Sequence, residues 1–304
     1  MPTPRSVTFP TREAWLEAHE GIISASRVAT ILGMNPWRSP LSEYAVSVGA
    51  MAPEQETISM RRGLAMEPLI AALYAEETQR LTVQPKPFTM FYHPAYPWIA
   101  CTPDAMWRNG GACGVLELKD VGHRMASEWD DEPPLIYRVQ LQVQIWVMRE
   151  HGLDGPGSLA AVLDGSRFVW RDEVLHQEFI DAIIPRLEEF RRRVELRDPP
   201  PAIGGDESSL EALKALYPTD SGETVWLPPE AEEWARQYEE AKCQEKEAGE
   251  RKNMARALLY GAIGNATFGR LPSGLVYSLK SRHVKEHIVR ARDERVLRLV
   301  NGRG

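Results

Sequence analysis

Two strand-like hairpins with a helical segment between them occupy the middle of this 304-residue sequence. In the first, Gly110-Gly111 forms a turn between the segment that contains Asp104 and the apolar run Val115–Lys119. In the second, Asp164-Gly165 separates two apolar runs, and this pair of turn residues strongly favours a hairpin. Strands that alternate with helices predict an α/β chain with a central mixed sheet flanked by helices.

A proline-rich segment divides the chain into two parts. Asp198-Pro199-Pro200-Pro201 ends a long helical run, and a polar, glycine-containing stretch follows it. Stretches of this composition are typical of domain boundaries. We therefore predict one domain over residues 1–203 and a C-terminal extension over residues 204–304. The extension is predicted to contain a long charged helix at about 228–260, a hairpin at 264–279 and a basic tail from residue 280.

Composition narrows the class of protein without fixing its partner. The net charge of −7 and the pI of about 5.6 argue weakly against nucleic acid, although an average charge permits a local basic surface. Three cysteines are too few for a disulfide framework or a four-cysteine iron–sulfur cluster. No leader-like or membrane-length apolar run is present, so we expect a cytoplasmic protein of a bacterium or phage-infected cell, with no membrane partner.

Asp104 and the triplet Glu117-Leu118-Lys119 suggest a metal-dependent hydrolase. Residues i and i+2 of a strand share a face, so Glu117 and Lys119 project together while Leu118 packs behind them. Across the predicted hairpin, Asp104 can reach the same side. Paired carboxylates favour a hard divalent cation such as Mg²⁺, whose bound water can attack a phosphodiester. A neighbouring lysine can polarise the phosphate or help to deprotonate that water.

On these residues alone, a solvated hairpin face with a cross-strand ion pair is the better explanation of the pattern. Three further features help to decide between a metal-dependent site and a solvated hairpin face. Glu67 is a lone acid in an apolar helix, Tyr137, Gln140 and Gln144 form one helical stripe, and Ser24–Arg27 opens a helix where a phosphate can sit. Each also has an ordinary structural explanation, namely a helix edge facing solvent, a polar helix face and a simple N-cap.

The order of these motifs resembles the lambda exonuclease and YqaJ-like viral recombinase group of the PD-(D/E)XK nuclease superfamily. The matching segments are, in order, Ile23–Arg27, Ile31–Trp37, Gly63 with Glu67, Thr102–Asp104, Leu116–Lys119 and Tyr137–Gln142. The resemblance covers about residues 12–200 and continues more loosely through Leu216-Tyr217-Pro218, the long helix and Arg292-Asp293. It implies a PD-(D/E)XK nuclease core with a C-terminal extension of a helix and a hairpin.

The resemblance also implies residue roles. Asp104, Glu117 and the backbone carbonyl of Leu118 would hold Mg²⁺, with Mn²⁺ as an expected substitute. Glu67 would help to bind a second metal, while Lys119 and Gln140 would position the attacking water. Contacts to DNA or its 5′-phosphate are implied for a further set: Ser26, Arg27, Arg62, Thr102, Tyr137 and His19. His19 stands where the phage exonuclease pattern has an arginine, which puts a 5′-phosphate requirement in doubt; a solvent-facing helix position explains it equally well.

The function implied is that of a Mg²⁺-dependent exonuclease that digests linear double-stranded DNA from the 5′ end. Its 3′ single-stranded products would serve phage-type recombination. Expected partners are DNA ends, a single-strand annealing protein and further copies of the chain in a ring. Two alternatives stay open at this point: an endonuclease or single-strand or flap nuclease of the same superfamily, and a non-catalytic scaffold that binds DNA ends. The charged C-terminal helix is either a solvated arm or a docking surface for the annealing protein.

Overall fold

The structure, a computed structural model, describes residues 3–202 and 205–283. It divides into two compact units, Met1–Pro218 and Thr219–Gly304. The first unit extends past residue 203, where the sequence predicted the boundary, because the helix Glu207–Leu216 packs into this unit. Ser208 Oγ accepts a hydrogen bond of 2.9 Å from the N–H of Ser39, and Ala212 is fully buried. Most of the predicted basic tail, residues 284–304, lies outside the described residues.

The described helices are α1 (Arg12–Glu17), α2 (Ala25–Ile31), α3 (Pro40–Ser47), α4 (Ile58–Thr78), α5 (His123–Ala126), α6 (Leu135–Arg149), α7 (Gln177–Leu196), α8 (Glu207–Leu216) and α9 (Ala231–Ile263), with a 3₁₀ turn at Ser127–Trp129. The described strands are β1 (Arg5–Thr8), β2 (Ile23–Ser24), β3 (Leu81–Val83), β4 (Thr89–Tyr92), β5 (Ile99–Cys101), β6 (Ala105–Asn109), β7 (Ala112–Val121), β8 (Gly157–Leu163), β9 (Arg167–Glu173), β10 (Phe268–Arg270) and β11 (Val276–Ser278). No helix of the described residues has the length and apolar character needed to cross a membrane.

The first unit contains two mixed sheets. The larger has the order β3-β6-β7-β8-β9, in which only the β7–β8 pair is parallel. The smaller has the order β1-β4-β5-β2, with β2 and β5 parallel. Both predicted hairpins are confirmed as β6–β7 and β8–β9. The turn between β8 and β9 has positive φ at Asp164 and Gly165, as an Asp-Gly hairpin turn requires.

The larger sheet is enclosed by a helix on each face. On one face, Ile70 and Tyr74 of α4 belong to a buried cluster with Leu116 and Leu118. On the other, Leu141 and other residues of α6 belong to the main core with alternate residues of β7 and β8. Because side chains alternate along a strand, β7 turns its leucines towards α4 and Glu117 and Lys119 away from it. The predicted mixed sheet flanked by helices is thus confirmed.

In the second unit, α9 and a small hairpin are present as predicted. α9 has no buried residue over its 33 residues. Strands β10 and β11 pair in antiparallel register from Phe268–Ser278 to Arg270–Val276. The intervening turn is closed by a bond of 2.9 Å from the N–H of Gly274 to the carbonyl of Leu271.

Gly114 on β7 is expected to be intolerant of even a methyl group. A Cβ there would lie 2.0 Å from the carbonyl oxygen of Pro156 and 2.7 Å from Nε1 of Trp107. Gly114→Ala should therefore lower the free energy of unfolding by about 1–3 kcal/mol, as overpacking does, in urea denaturation. Gly111→Ala, in the turn of the same hairpin with open space around it, is the control, and equal stability of the two variants would contradict this packing.

Candidate active site

One cleft of about 670 Å³ brings most of the sequence motifs together. It receives side chains from α1, the start of α2, α4, the loop before β4, the segment before β6, β7 and α6. Of the residues singled out from the sequence, the following line it: His19, Ser24, Ser26, Glu67, Thr102, Asp104, Glu117, Lys119, Gln140 and Gln144. Residues separated by more than a hundred positions in the chain therefore face a common space.

Asp104 is held at the point where β6 begins. The β6–β7 ladder has its last pair at Ala105–Leu116, and Asp104 Oδ2 then accepts a hydrogen bond of 2.8 Å from the N–H of Leu118. The side chain thus continues the ladder beyond the end of the strand. Because the N–H and C=O of one residue point to the same side of an extended strand, the Leu118 carbonyl faces this edge as well.

Glu117 is almost completely buried, with 1% of its surface exposed. Its Oε1 accepts hydrogen bonds from Lys119 Nζ and from Gln140 Nε2, the latter at 2.7 Å. Its Oε2 accepts from Gln144 Nε2 at 2.6 Å. The structure contains an ion pair on this face of the hairpin, between Lys119 and Glu117. Glutamines of α6 cover Glu117, so this face of the hairpin is not solvated.

The carboxylates at this site repel one another. Burial, and then the charge of Glu117, raise the pKa of Asp104 well above its usual value. The same two causes raise the pKa of Glu67 to about 7. Glu67 was expected either at a solvent-facing helix edge or in the site, and it lies close enough to Glu117 for the two charges to repel each other. A concentration of negative charge in a partly desolvated cleft favours binding of a cation.

Lys119 is the positive charge closest to these carboxylates. Burial opposes its charge, but Glu117 and Asp104 outweigh that effect and raise the pKa of the ammonium group. Lys119 Nζ also lies 5.1 Å from the centre of the Tyr137 ring, a favourable cation–π distance. Tyr137 is not among the residues that line the cleft, so its visible role is to support Lys119.

The donor set suits a magnesium ion. No group of three His, Cys, Asp or Glu side chains within residues 3–202 and 205–283 is arranged to ligate one ion. Mg²⁺ does not require such a cage, since it usually binds one or two carboxylates and retains several waters. Asp104 and Glu117 supply hard oxygen atoms and Leu118 a carbonyl on the same edge. Gln144 and Thr102 line the same cleft, and within residues 3–202 and 205–283 the buried Oε1 of Gln144 and Oγ1 of Thr102 have no hydrogen-bond partner. Both atoms could accept a hydrogen bond from bound water.

Three of the six residues predicted to contact DNA or its 5′-phosphate line the cleft, namely Ser26, Thr102 and His19. The other three, Arg27, Arg62 and Tyr137, do not line it. Ser26 Oγ lies 3.1 Å from Ser24 Oγ at the start of α2. His19 Nδ1 lies 2.7 Å from the carbonyl of Trp15, so this nitrogen carries the proton. Burial lowers the pKa of His19, which leaves the imidazole neutral at pH 7, with Nε2 as an acceptor. A neutral acceptor does not replace a phosphate-binding arginine.

Arg27 and Arg62, predicted to contact DNA, have protein partners in the structure, and their contact with phosphate stays a prediction. Arg27 forms an ion pair with buried Glu43 and donates to the carbonyl of Ile22 at 2.7 Å and to Ser47 Oγ at 2.6 Å. Arg62 binds Asp120 at 2.6 Å and does not line the cleft. Arg27 therefore fixes α2 against α3, a role that its place in the Ser24–Arg27 motif did not reveal.

Arg27→Met is expected to act on stability. It removes one of the two arginines that pair with Glu43, and Arg38, at 3.0 Å, retains the other pair. The free energy of unfolding should fall by on the order of 2–3 kcal/mol, somewhat less than for a completely unpaired buried charge. Thermal or urea unfolding measures this loss, with Arg192→Met on the exposed face of α7 as the control. Unchanged stability would contradict the assigned role of Arg27.

The sequence interpretation missed two cations of the cleft, Arg12 and Lys86. Arg12 lies 3.3 Å from Glu56 with both side chains well exposed, so the pair is weak. Lys86 stands between Pro85 and Pro87 in the loop before β4, where Phe88 has a positive φ of 61°. The Pro-Lys-Pro sequence was a usable signal, since prolines on both sides stiffen the loop.

Comparison with known proteins identifies a matching family model and a similar protein. A family model of the YqaJ-like viral recombinase domain matches residues 14–152, the segment that contains the acidic residues, Lys119 and both glutamines. The uncharacterized protein YqaJ of Bacillus subtilis (strain 168) is 27% identical over 270 residues, which span 84% of this chain and 82% of that protein.

Two solved structures of one exonuclease resemble this chain in fold. An alkaline exonuclease (LHK-Exo) from Laribacter hongkongensis superposes with a TM-score of 0.50 and 22% sequence identity, over 61% of this chain and 94% of that chain. Its structure in complex with dAMP gives the same values. Over the superposed part, this chain therefore has the fold of this alkaline exonuclease.

Proposed function

We propose that this chain, whose residues 14–152 match the model of a YqaJ-like viral recombinase domain, is a metal-dependent exonuclease that acts on DNA. The observation that carries the proposal is the buried Glu117, held by Lys119 and two glutamines beside Asp104 and Glu67 in an open cleft. A non-catalytic scaffold has no need to concentrate mutually repelling carboxylates at its ligand cleft. The geometry therefore favours hydrolysis over simple DNA binding.

Each residue of the site has a distinct task in this proposal. Asp104, Glu117 and the Leu118 carbonyl would hold Mg²⁺ or, in its place, Mn²⁺, and Glu67 would contribute to a second metal position. The ion supplies a Lewis acid and a water of lowered pKa for attack on phosphorus. Gln140 keeps Glu117 in place, since it donates to Oε1.

Lys119 acts as a cation in this mechanism. The carboxylates around it raise the pKa of its ammonium group, so the side chain retains its proton at neutral pH. It therefore stabilises the charge that develops on the phosphate oxygens and orients the attacking water by donating hydrogen bonds. Removal of a proton from that water is not assigned to Lys119.

The DNA strand would contact the hydroxyl groups and the cations that line the cleft. Ser26 and Thr102 offer hydroxyl groups, while Arg12 and Lys86 offer the positive charge that neutral His19 does not supply. These cations are suited to backbone phosphates, since such contacts need charge and no base recognition. The dAMP complex of the Laribacter exonuclease, which shares the fold, supports a nucleotide ligand here.

We further infer 5′-to-3′ digestion of linear double-stranded DNA, with 3′ single strands left for recombination. This direction follows the resemblance of the motif order to the lambda exonuclease group, and the recombination role follows the description of the matched domain. A single-strand annealing partner and a homo-oligomeric ring stay predictions from the sequence.

A substrate panel separates this proposal from its alternatives. Linear and covalently closed circular duplexes of one sequence are incubated with Mg²⁺, Mn²⁺ or EDTA. The proposal predicts loss of nucleotides from the linear duplex with either metal and an intact circle throughout. Cutting of the circle at a similar rate would indicate an endonuclease, and binding of linear DNA without cleavage in any metal would indicate a scaffold.

A further inference from the structure

Gln144 differs from the other glutamines of α6 in one respect: its amide oxygen is buried without a hydrogen-bond partner among the described residues. It lies one turn after Gln140 and has only 1% of its surface exposed. Its Nε2 donates to Glu117 Oε2 at 2.6 Å. Its Oε1 is buried and accepts no hydrogen bond from any residue that the structure describes, although Gln144 lines the cleft. Leaving a buried carbonyl unsatisfied costs about 1–3 kcal/mol, so this arrangement needs a reason.

The hydrogen bonds of Glu117 show which of its oxygens is free to ligate an ion. A carboxylate oxygen has about two lone-pair directions. Oε1 already accepts from Lys119 and Gln140, whereas Oε2 accepts, among the described residues, only from Gln144. An ion that binds Glu117 without breaking these bonds therefore binds Oε2. Gln144 is the residue that fixes the direction of the remaining lone pair on that atom.

The orientation of the Gln144 amide follows from the same contact. An amide oxygen turned towards Glu117 would oppose the carboxylate lone pairs, so the amide nitrogen must face Glu117 and the carbonyl must face away. A carbonyl in this position requires a hydrogen-bond donor. The waters around a divalent cation are strong donors, because the ion withdraws electron density from their O–H bonds.

We propose that Gln144 is a positioning residue of the metal site: its amide nitrogen aims Glu117 Oε2 at the cation, and its carbonyl accepts a hydrogen bond from a water bound to that cation. The inference rests on the proposed function and adds to it a residue that acts through Glu117. Partners of this kind set the orientation of the ligand atom, and their loss typically weakens metal binding 10–100-fold.

Gln142 on the same helix is a matched control. It is also buried, but its amide is fully used at a different place: Nε2 donates to Glu173 at 3.1 Å and to the carbonyl of Val174 at 2.9 Å. Its Oε1 accepts from the N–H of His176 at 2.8 Å. Replacing either glutamine with methionine preserves length and approximate volume while removing a buried amide.

The test measures binding of Mg²⁺ and of Mn²⁺, without DNA, to the full-length protein by isothermal titration calorimetry. Wild type, Gln144→Met and Gln142→Met are compared, with melting temperatures measured in parallel. Gln144→Met is expected to weaken metal binding at least 10-fold. It should also raise the Mg²⁺ concentration needed for half-maximal cleavage by a similar factor, with most of the rate recovered at saturating metal. Gln142→Met should leave the metal dissociation constant within about 2-fold of wild type.

Two results would overturn the inference while leaving the nuclease proposal intact. One is wild-type metal affinity in Gln144→Met, and the other is an equal loss of affinity in both variants, which would indicate a general effect of removing an amide from α6. Failure of the wild-type protein to bind metal and to cleave DNA would instead refute the proposed function itself.

Discussion

Lys119→Met is expected to slow DNA cleavage at saturating Mg²⁺ by about 10²–10⁴-fold, the range for loss of a positioned catalytic or electrostatic group. The ammonium group contacts Glu117 and lies over the Tyr137 ring, so it cannot be replaced by a side chain from elsewhere. Methionine retains much of the aliphatic packing, and the protein should therefore stay folded. The measurement is single-turnover cleavage of linear duplex DNA with enzyme in excess.

Lys242→Met is the control for this variant. Lys242 lies on α9 and is largely exposed, and its sequence neighbours Glu239, at 3.4 Å, and the Tyr238 ring are its charged and aromatic contacts among the described residues. Its loss should therefore leave the rate unchanged. If Lys119→Met cleaved within 5-fold of wild type while Lys242→Met also retained its rate, the assignment of the active site would be wrong.

Asp104→Asn is expected to have opposite effects on activity and stability. Cleavage should fall by about 10²-fold or more, because a neutral amide is a poor replacement for a charged metal ligand. In metal-free buffer at pH 8, the free energy of unfolding should rise by on the order of 1–3 kcal/mol, because a destabilising buried charge is removed. Asparagine still offers an oxygen to the N–H of Leu118, now 2.8 Å from Asp104 Oδ2, so the local geometry is retained.

The pH dependence of stability has a definite sign. Burial and Glu117 raise the pKa of Asp104 in the folded protein above its usual value of 3.8, so the folded state binds this proton more tightly than the unfolded state. The destabilisation is absent below about pH 4 and grows as the pH rises towards the folded pKa. The raised pKa of Glu67 adds a second loss of stability as the pH rises from 4.5 to about 7.

Metal-free wild-type protein should consequently lose stability from about pH 4 upwards, with the Glu67 contribution falling between 4.5 and about 7. Asp104→Asn should lose less over the same range. Urea denaturation at a series of pH values measures both slopes. Asp154→Asn, in the exposed turn between α6 and β8, controls for the loss of a carboxylate. Lower stability of Asp104→Asn than of wild type at pH 8 would contradict the electrostatic account of this site.

The parts of the fold set by local pattern were predictable from the sequence. The turns at Gly110-Gly111 and Asp164-Gly165 fixed two hairpins. The two-residue alternation of β7 then placed Leu118 behind Glu117 and Lys119. Thr11 caps α1 as expected, with its hydroxyl accepting a bond of 3.2 Å from the N–H of Ala14. These features depend on residues a few positions apart.

The parts set by distant contacts were not predictable in this way. The position of Arg27 at the start of a helix suggested a phosphate contact, but its partners in the structure, Glu43 and Ser47, lie on another helix. Helix α8 joins the first unit through Ser208 and Ser39, which are 169 positions apart. The environment of Glu117 depends on how α6 packs on the sheet, and that packing decides between an exposed ion pair and a buried site.

The most direct test of the account uses a linear duplex in which one strand has different labels at its 5′ and 3′ ends. With Mg²⁺, the account predicts that the 5′ label is released first, as a mononucleotide, and that the 3′ label of the same strand follows later. Release should stop with EDTA and should fall at least 100-fold in Lys119→Met. Release of either label without metal, or at the wild-type rate in Lys119→Met, would contradict the account.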